Sequence, residues 1–230
     1  MNAIEFVRRN HIRLLVGVGA LTAIVTQFMM LTGGGEREGV FDLGDVYAPF
    51  FDSFVFEGLP PFISSGGIYE PEIHLFKIGF TICGLLTALL VIRMGKKGGV
   101  LNNNGTLQGY AISCLGIANS TGLMVMVHLP FTVYPVAHSI IAGIVFISGL
   151  GWILAAHWMI QEEEDTGHVF GIPARDLRRW SLIVGIGCSA LIGIPVLMMQ
   201  LELAAILEWG ILAGLQGGVL SMEDLLNNSD

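Results

Sequence analysis

Charged residues are scarce in this chain, and their scarcity argues against an ordinary soluble fold. Only 13% of the 230 residues are Asp, Glu, Lys or Arg, about half the share found in a typical soluble domain. The mean hydropathy is +0.70. Cationic residues are the fewest, with 11 Lys and Arg against 19 Asp and Glu and a net charge of −8. Phosphate binding needs a basic surface, so nucleic acid is not expected as a partner.

Cysteine is equally sparse. The three cysteines, Cys83, Cys114 and Cys188, all fall inside apolar runs of the sequence. A small disulfide-stabilised domain needs paired cysteines in its loops, so a disulfide framework is excluded. Buried single cysteines usually behave as small apolar residues.

Long apolar runs are abundant instead. Six of them occupy residues 14–32, 75–92, 107–127, 131–156, 180–199 and 203–220. Crossing a bilayer takes roughly 17–25 predominantly apolar residues, and backbone groups in lipid must be satisfied internally. The sequence therefore predicts an all-α, polytopic membrane protein, a six-transmembrane-helix bundle forming one integral membrane domain over residues 1–230. Pro135 and Pro195 are expected to kink the fourth and fifth spans.

The distribution of cations predicts the orientation. With the N-terminus inside, nine of the 11 Lys and Arg residues fall on the cytoplasmic side, as the positive-inside rule requires. Both termini are then cytoplasmic, including a short tail at 221–230. The one long external loop, 33–73, carries eight acids against one Arg.

Polar residues within the spans concentrate in the outer half of the predicted bundle. Ionisable groups at membrane depth are costly and often functional. The inner half offers only His157, near an interface. The loop segment 61–71 is predicted to fold down over the mouth between spans two, three, four and six. Beneath it we expect one cavity open to the outer leaflet, lined by Ser64, Glu72, His128, His138 and Glu208. The candidate residues of this outer site are Ser64, Glu72, His74, His128, His138 and Glu208.

The cluster has three interpretations. The first is structural, since polar side chains hydrogen-bond between helices and fix their packing. The second is recognition of a lipid headgroup or another small polar ligand. The third is a hydrolytic metal site built from three His residues and Glu208, but the sequence lacks the i, i+4 spacing of an H-E-x-x-H helix. We assign no metal and expect no cofactor.

The end of the external loop carries a distinctive segment, PFISSGGIYEPEIHLF at residues 61–76. It resembles the signature of the damage-regulated autophagy modulator (DRAM) family and its Frag and Sfk relatives. Glu208-Trp209 resembles the Glu-Trp pair of that family, and His138 resembles its His in the fourth span. Ser65 and Gly66 depart from the pattern, which usually has Asp and Thr. The family-like positions are Pro61, Ile63, Ser64, Gly67, Pro71, Glu72, Leu75, Phe76 and Trp209.

The resemblance implies a role in membrane lipid handling. Members of the family are linked to autophagy and lysosomes, to phosphoinositide kinase organisation, and to trafficking of glycosylphosphatidylinositol-anchored proteins. We therefore predict a non-enzymatic protein that organises, senses or helps traffic lipids. The alternatives are a lipid-modifying acyltransferase or hydrolase and a small proton-coupled transporter. Expected partners are membrane lipids, with other membrane proteins as a second candidate class. The expected location is the plasma membrane of a prokaryote, or the plasma membrane or an endomembrane of a eukaryote.

Overall fold

The computed structural model of the protein describes residues 3–32, 62–96, 107–131, 133–160, 167–198 and 200–227. Pro61 and most of the acidic loop lie outside these ranges. The long helices are α1 (Ala3–Thr32), α2 (Glu72–Lys96), α3 (Leu107–Met126), α4 (Pro135–Met159), α5 (Ala174–Leu191) and α7 (Leu201–Leu220), and the short ones are α6 (Gly193–Leu197) and α8 (Glu223–Asn227). A 3-10 helix at Ile63–Gly67, here called the loop helix, precedes α2. A two-stranded antiparallel hairpin, β1 (His168–Val169) and β2 (Ile172–Pro173), lies between α4 and α5.

Five helical segments within these ranges are long and apolar enough to cross a membrane. They are Arg9–Met30, Glu72–Met94, Pro135–Met159, Ala174–Leu197 and Leu201–Leu226. A shorter apolar helix, Ile112–Met126, occupies the position of the third predicted span. The all-α class is confirmed, with five such segments where the sequence predicted six.

The helices pack in chain order and close into a bundle. Consecutive helices from α1 to α5 contact each other. The helix α5 packs closely on α7, and α7 also contacts α4 and α1. The buried core runs through the middle and includes Trp152, Ile153 and Leu90. Polar groups inside the bundle also tie the helices together: the Asn119 amide on α3 donates to the Val145 carbonyl on α4 at 2.7 Å.

The two prolines act differently from each other. Pro135 is the first residue of α4, a position where its fixed φ is favourable and its missing N–H costs nothing, so the predicted kink there is wrong. Pro195 lies in α6, and the preceding helix α5 ends at Leu191. A proline ring clashes with the carbonyl four residues earlier, which accounts for a break at Ile192 in place of a smooth kink.

The end of the bundle that carries the hairpin holds more buried polar groups than the sequence predicted. Arg178 is fully buried there and its Nε donates to Ser221 Oγ at 3.0 Å. His11 is buried and lies 2.8 Å from the Leu86 carbonyl oxygen. Arg13 pairs with Glu223 at 2.6 Å. Arg178 precedes the fifth run of apolar residues in the sequence, which begins at 180, but it lies within α5, which begins at Ala174.

Candidate functional site

The loop helix is bound inside one end of the bundle by hydrogen bonds from two different helices. The Gln27 side chain on α1 donates from Nε2 to the carbonyl oxygens of Phe62 and Ile63, both at 2.9 Å. The Ile63 N–H donates to Glu208 Oε2 on α7 at 2.7 Å. An N–H at the start of a helix has no partner within the helix, so the Glu208 carboxylate satisfies a group that would otherwise be buried unpaired. The segment after Pro61 thus packs on α1, α2 and α7, whereas the sequence predicted that it folds over the mouth between spans two, three, four and six.

Two glycines allow the loop helix to lie this close. A β-carbon at Gly66 would lie 2.5 Å from Thr26 Oγ1 on α1, and one at Gly67 would lie 2.9 Å from the Phe76 ring on α2. Both distances are shorter than real side-chain contacts. The Gly-Gly pair is therefore needed for close approach to α1 and α2, because the hydrogen bonds of Gln27 hold the loop helix at a fixed distance from α1.

A cavity of about 110 Å³ lies beneath the loop helix in the centre of the bundle. Its roof includes Ile63, Ser64 and Glu208. The wall is mainly apolar and comes from α1, α2, α3, α4 and α7. The apolar lining residues include Leu15, Phe76, Phe80, Leu123, Met126, Val145, Phe146, Leu212, Leu215 and Val219.

A few polar groups interrupt this wall below the roof. Thr87, Asn119 and Gln216 line it. Gln216 is eight residues along α7 from Glu208, which is about 12 Å of helix. The Trp152 indole Nε1 is buried and has no hydrogen-bond partner in the described part of the chain. The cavity is thus apolar along its length, with a carboxylate at the roof and isolated polar groups further down.

Of the six candidate residues, the structure brings Ser64 and Glu208 to this cavity and places the other four elsewhere. His138 is buried, its Nδ1 lies 2.7 Å from the Leu129 carbonyl oxygen, and its ring meets Phe131 edge to face. Because the carbonyl only accepts, Nδ1 carries the proton. His138 thus closes the turn between α3 and α4.

The remaining three candidates lie near the same end of the bundle. His128 is exposed, with its Nε2 3.4 Å from Thr81 Oγ1. His74 is exposed and pairs with Glu70 at 3.3 Å. Glu72 is fully buried in the first turn of α2, where a carboxylate interacts favourably with the helix dipole. Of the five residues predicted to line one cavity, Glu72, His128 and His138 are not among the residues that line it with Ser64 and Glu208.

The structure does not assemble the four ligands of the alternative metal site. Within the described ranges, no group of three or more His, Cys, Asp or Glu residues is placed to hold a metal ion. His138 and Glu208 instead bond separately to backbone groups of two different loops.

Sequence reasoning missed Gln27 and Thr26. Both are buried on the side of α1 that meets the loop helix. The signal was visible, since two adjacent polar residues interrupt an apolar run.

Five membrane-length helices around a buried core with a half-enclosed cavity define an integral, multi-pass α-helical membrane protein. The sequence matches the Frag1/DRAM/Sfk1/Cwh43P N-terminal domain over residues 14–218. The chain belongs to this family. No curated protein and no solved structure gives a significant match.

Proposed function

We propose that this protein binds a membrane lipid, with an apolar chain of the lipid entering the central cavity and the headgroup near Ser64 and Glu208. The observation that carries the proposal is the apolar cavity closed on one side by the loop helix. Apolar cavities of this order stay dry and accept apolar groups of about the size of benzene. The 110 Å³ space suits the end of a chain.

The polar groups of the cavity support an amphipathic ligand. Glu208 would favour a headgroup that carries a cationic amine. We infer a zwitterionic or amine-bearing headgroup, also because acids outnumber bases eight to one in the loop at 33–73.

Binding without catalysis fits the contacts better than the two alternatives. A proton relay or an acid–base pair needs His138 and Glu208 within reach of a common group. Each instead holds a backbone group in its own loop, at 2.7 Å. We further propose six spans, counting Ile112–Met126, with both termini in the cytoplasm. The roof then faces the outer leaflet of a plasma membrane or the lumenal leaflet of an endomembrane.

A matched pair of substitutions on α3 tests the cavity. Leu123 lines it, whereas Ile117 on the same helix is 55% exposed on the outside of the bundle. We expect Leu123→Phe to fill the cavity and to lower the lipid that co-purifies with the protein about tenfold, and Ile117→Phe to leave it unchanged. Mass spectrometry of lipid extracted per mole of purified protein gives the readout. Equal lipid content in a folded Leu123→Phe variant would contradict the proposal.

Substitutions at Glu208 test the headgroup preference separately from binding in the apolar part of the site. Glu208→Gln keeps an oxygen that accepts the Ile63 N–H, so the roof should remain closed while the charge is lost. We expect the fraction of amine-bearing lipids among bound lipids to fall and the total amount to persist. Glu208→Lys places a donor against a donor and should reduce the yield of folded protein. An unchanged headgroup profile in Glu208→Gln would refute the amine preference.

A further inference from the structure

The hairpin between α4 and α5 has an unusual turn. Strand residues pair His168 with Pro173 and Val169 with Ile172, which leaves a two-residue turn of Phe170 and Gly171. Their φ angles are +52° and +81°. Positive φ at both turn positions is typical of type I′ hairpins, for which Asn-Gly is the favoured sequence. A bulky aromatic residue in the left-handed region is a rarity.

The tip of this hairpin is apolar and turned outward. Phe170 is 88% exposed, and Ile172 is 46% exposed. Val169 is buried and holds the base of the hairpin against the bundle. An aromatic side chain that is held in an unfavourable backbone conformation and is almost fully exposed has no favourable interaction with water that offsets this cost. Its position favours contact with an apolar surface outside the chain.

The base of the hairpin is fixed to two helices. The His168 N–H donates to Asp224 Oδ2 on α8 at 2.9 Å, and the Ala174 N–H donates to the Gly167 carbonyl at 2.8 Å. The strand β2 passes directly into α5. The tip is therefore held at a defined place close to the end of a membrane-length helix.

The surrounding side chains mark this level as a membrane interface. Trp158 near the end of α4 is 76% exposed, and Trp180 near the start of α5 is 63% exposed. Tryptophans collect at the headgroup level of membranes. Trp180 follows the first residue of α5 by only six positions, about 9 Å of helix. Arg179 beside it is exposed, and so is Arg9 at the same end of α1, where it forms a surface ion pair with Glu5 at 3.4 Å. Cations therefore accompany the aromatic residues.

We propose that Phe170 and Ile172 insert into the interface of the membrane at this end of the bundle and that the neighbouring arginines bind anionic phospholipid headgroups there. The hairpin then serves as a second contact with lipid, distinct from the central cavity. It lies at the end of the bundle opposite the loop helix. The exposed apolar tip supplies the insertion, and the exposed arginines supply the charge complementarity.

A spin label at the tip tests the insertion. In a background with Cys83, Cys114 and Cys188 replaced, Phe170→Cys carries the label, with Ile147→Cys on the lipid-facing surface of α4 and Asp176→Cys on α5 as references. Ile147 is 71% exposed. The protein is placed in lipid discs of phosphatidylcholine with or without phosphatidylglycerol. We expect the ratio of oxygen to nickel-complex accessibility at position 170 to lie severalfold above that at 176 and to approach that at 147.

Phe170→Asn supplies a variant that favours the turn but lacks the aromatic side chain. In detergent it should melt at the same temperature as the parent protein or higher. In discs with phosphatidylglycerol it should lose most of the stabilisation that the parent gains from the lipid. A label at 170 more accessible to the nickel complex than to oxygen would overturn the insertion. Equal gains for the parent in both kinds of disc would overturn the preference for anionic headgroups.

Discussion

Gly66 shows how a single missing β-carbon positions the roof of the cavity. The family signature usually has Thr at this position, whereas this chain has Gly66 opposite Thr26. A side chain at 66 would meet both Oγ1 and Cβ of Thr26, at 2.5 and 2.9 Å. Neither atom can retreat far, because Thr26 Oγ1 already donates to the Thr22 carbonyl at 2.8 Å within α1.

We predict that Gly66→Ala destabilises the protein by about 1–3 kcal/mol, the usual cost of overpacking a fitted contact. Adding Thr26→Ala should recover part of the loss, since it removes Oγ1 and leaves Cβ. Thermal melting in detergent of the two single variants and the double variant measures this coupling. Strict additivity of the two changes would show that the residues do not share a contact.

At the residue scale, the sequence predicted which polar side chain points into the bundle, but not which group it hydrogen-bonds. Glu208 was expected to point into the bundle beneath the loop, and it does. Its expected neighbours were His128 or His138, whereas its partner is the backbone N–H of Ile63. Patterns of side chains indicate which groups need partners. They cannot indicate that a backbone amide 145 positions away supplies one, because the position of the loop helix depends on Gln27, Thr26 and two glycines together.

At the scale of elements, α5 and α7 cross with their backbones close together. A β-carbon at Gly214 on α7 would lie 2.7 Å from the Gly185 Cα and 2.7 Å from the Ser181 carbonyl oxygen on α5. These are backbone atoms, which cannot move without moving a helix. The sequence pattern Gly210-x-x-x-Gly214 is therefore used for packing within the bundle, and Gly214 is not free for dimerisation.

We predict that Gly214→Ala disrupts this crossing and that Gly187→Ala on α5 does not. A β-carbon at Gly187 meets no atom within 4 Å, and replacing Gly by Ala in a helix otherwise contributes stability. The melting temperature in detergent should fall for Gly214→Ala and stay the same or rise for Gly187→Ala. The monodisperse elution peak in detergent should be lost for Gly214→Ala and kept for Gly187→Ala. The same melting temperature for the two variants would mean that the close crossing of α5 and α7 does not determine the stability of the bundle.

Apolar runs located the helices well and their ends poorly. All six predicted runs contain a helix, yet α1 begins at Ala3 and α5 at Ala174, well before the runs at 14 and 180. Helices extend beyond the lipid as long as their backbone bonds are made, and charged residues such as Arg178 then become buried against neighbours. Hydropathy reports the solvent around a segment, and it does not report where the hydrogen-bonded helix stops.

At the scale of the whole molecule, the bundle has two chemically different ends. One holds the loop helix, the cavity roof and exposed His74 and His128. The other holds the hairpin, α8, and the contacts of Arg13 and Arg178. Lys and Arg favour the cytoplasmic side of membrane proteins, so the hairpin end is predicted to face the cytoplasm.

Labelling of introduced cysteines measures this orientation. Glu202 and Asp176 are both exposed, one at each end of the bundle. In intact cells that express a cysteine-free background, a membrane-impermeant maleimide should label Glu202→Cys and should reach Asp176→Cys only after permeabilisation. Sites introduced in loop 33–73 should behave like Glu202, and sites in 98–105 like Asp176. The reverse pattern would invert the proposed topology.

The bond between Ile63 and Glu208 also has a consequence for the order of synthesis. The loop helix leaves the ribosome long before α7, the last of the long helices in this sequence. Until α7 enters the membrane, the loop helix can pack on α1 and α2, but the Ile63 N–H lacks its carboxylate. A closed roof is therefore a property that a nascent or truncated chain does not have.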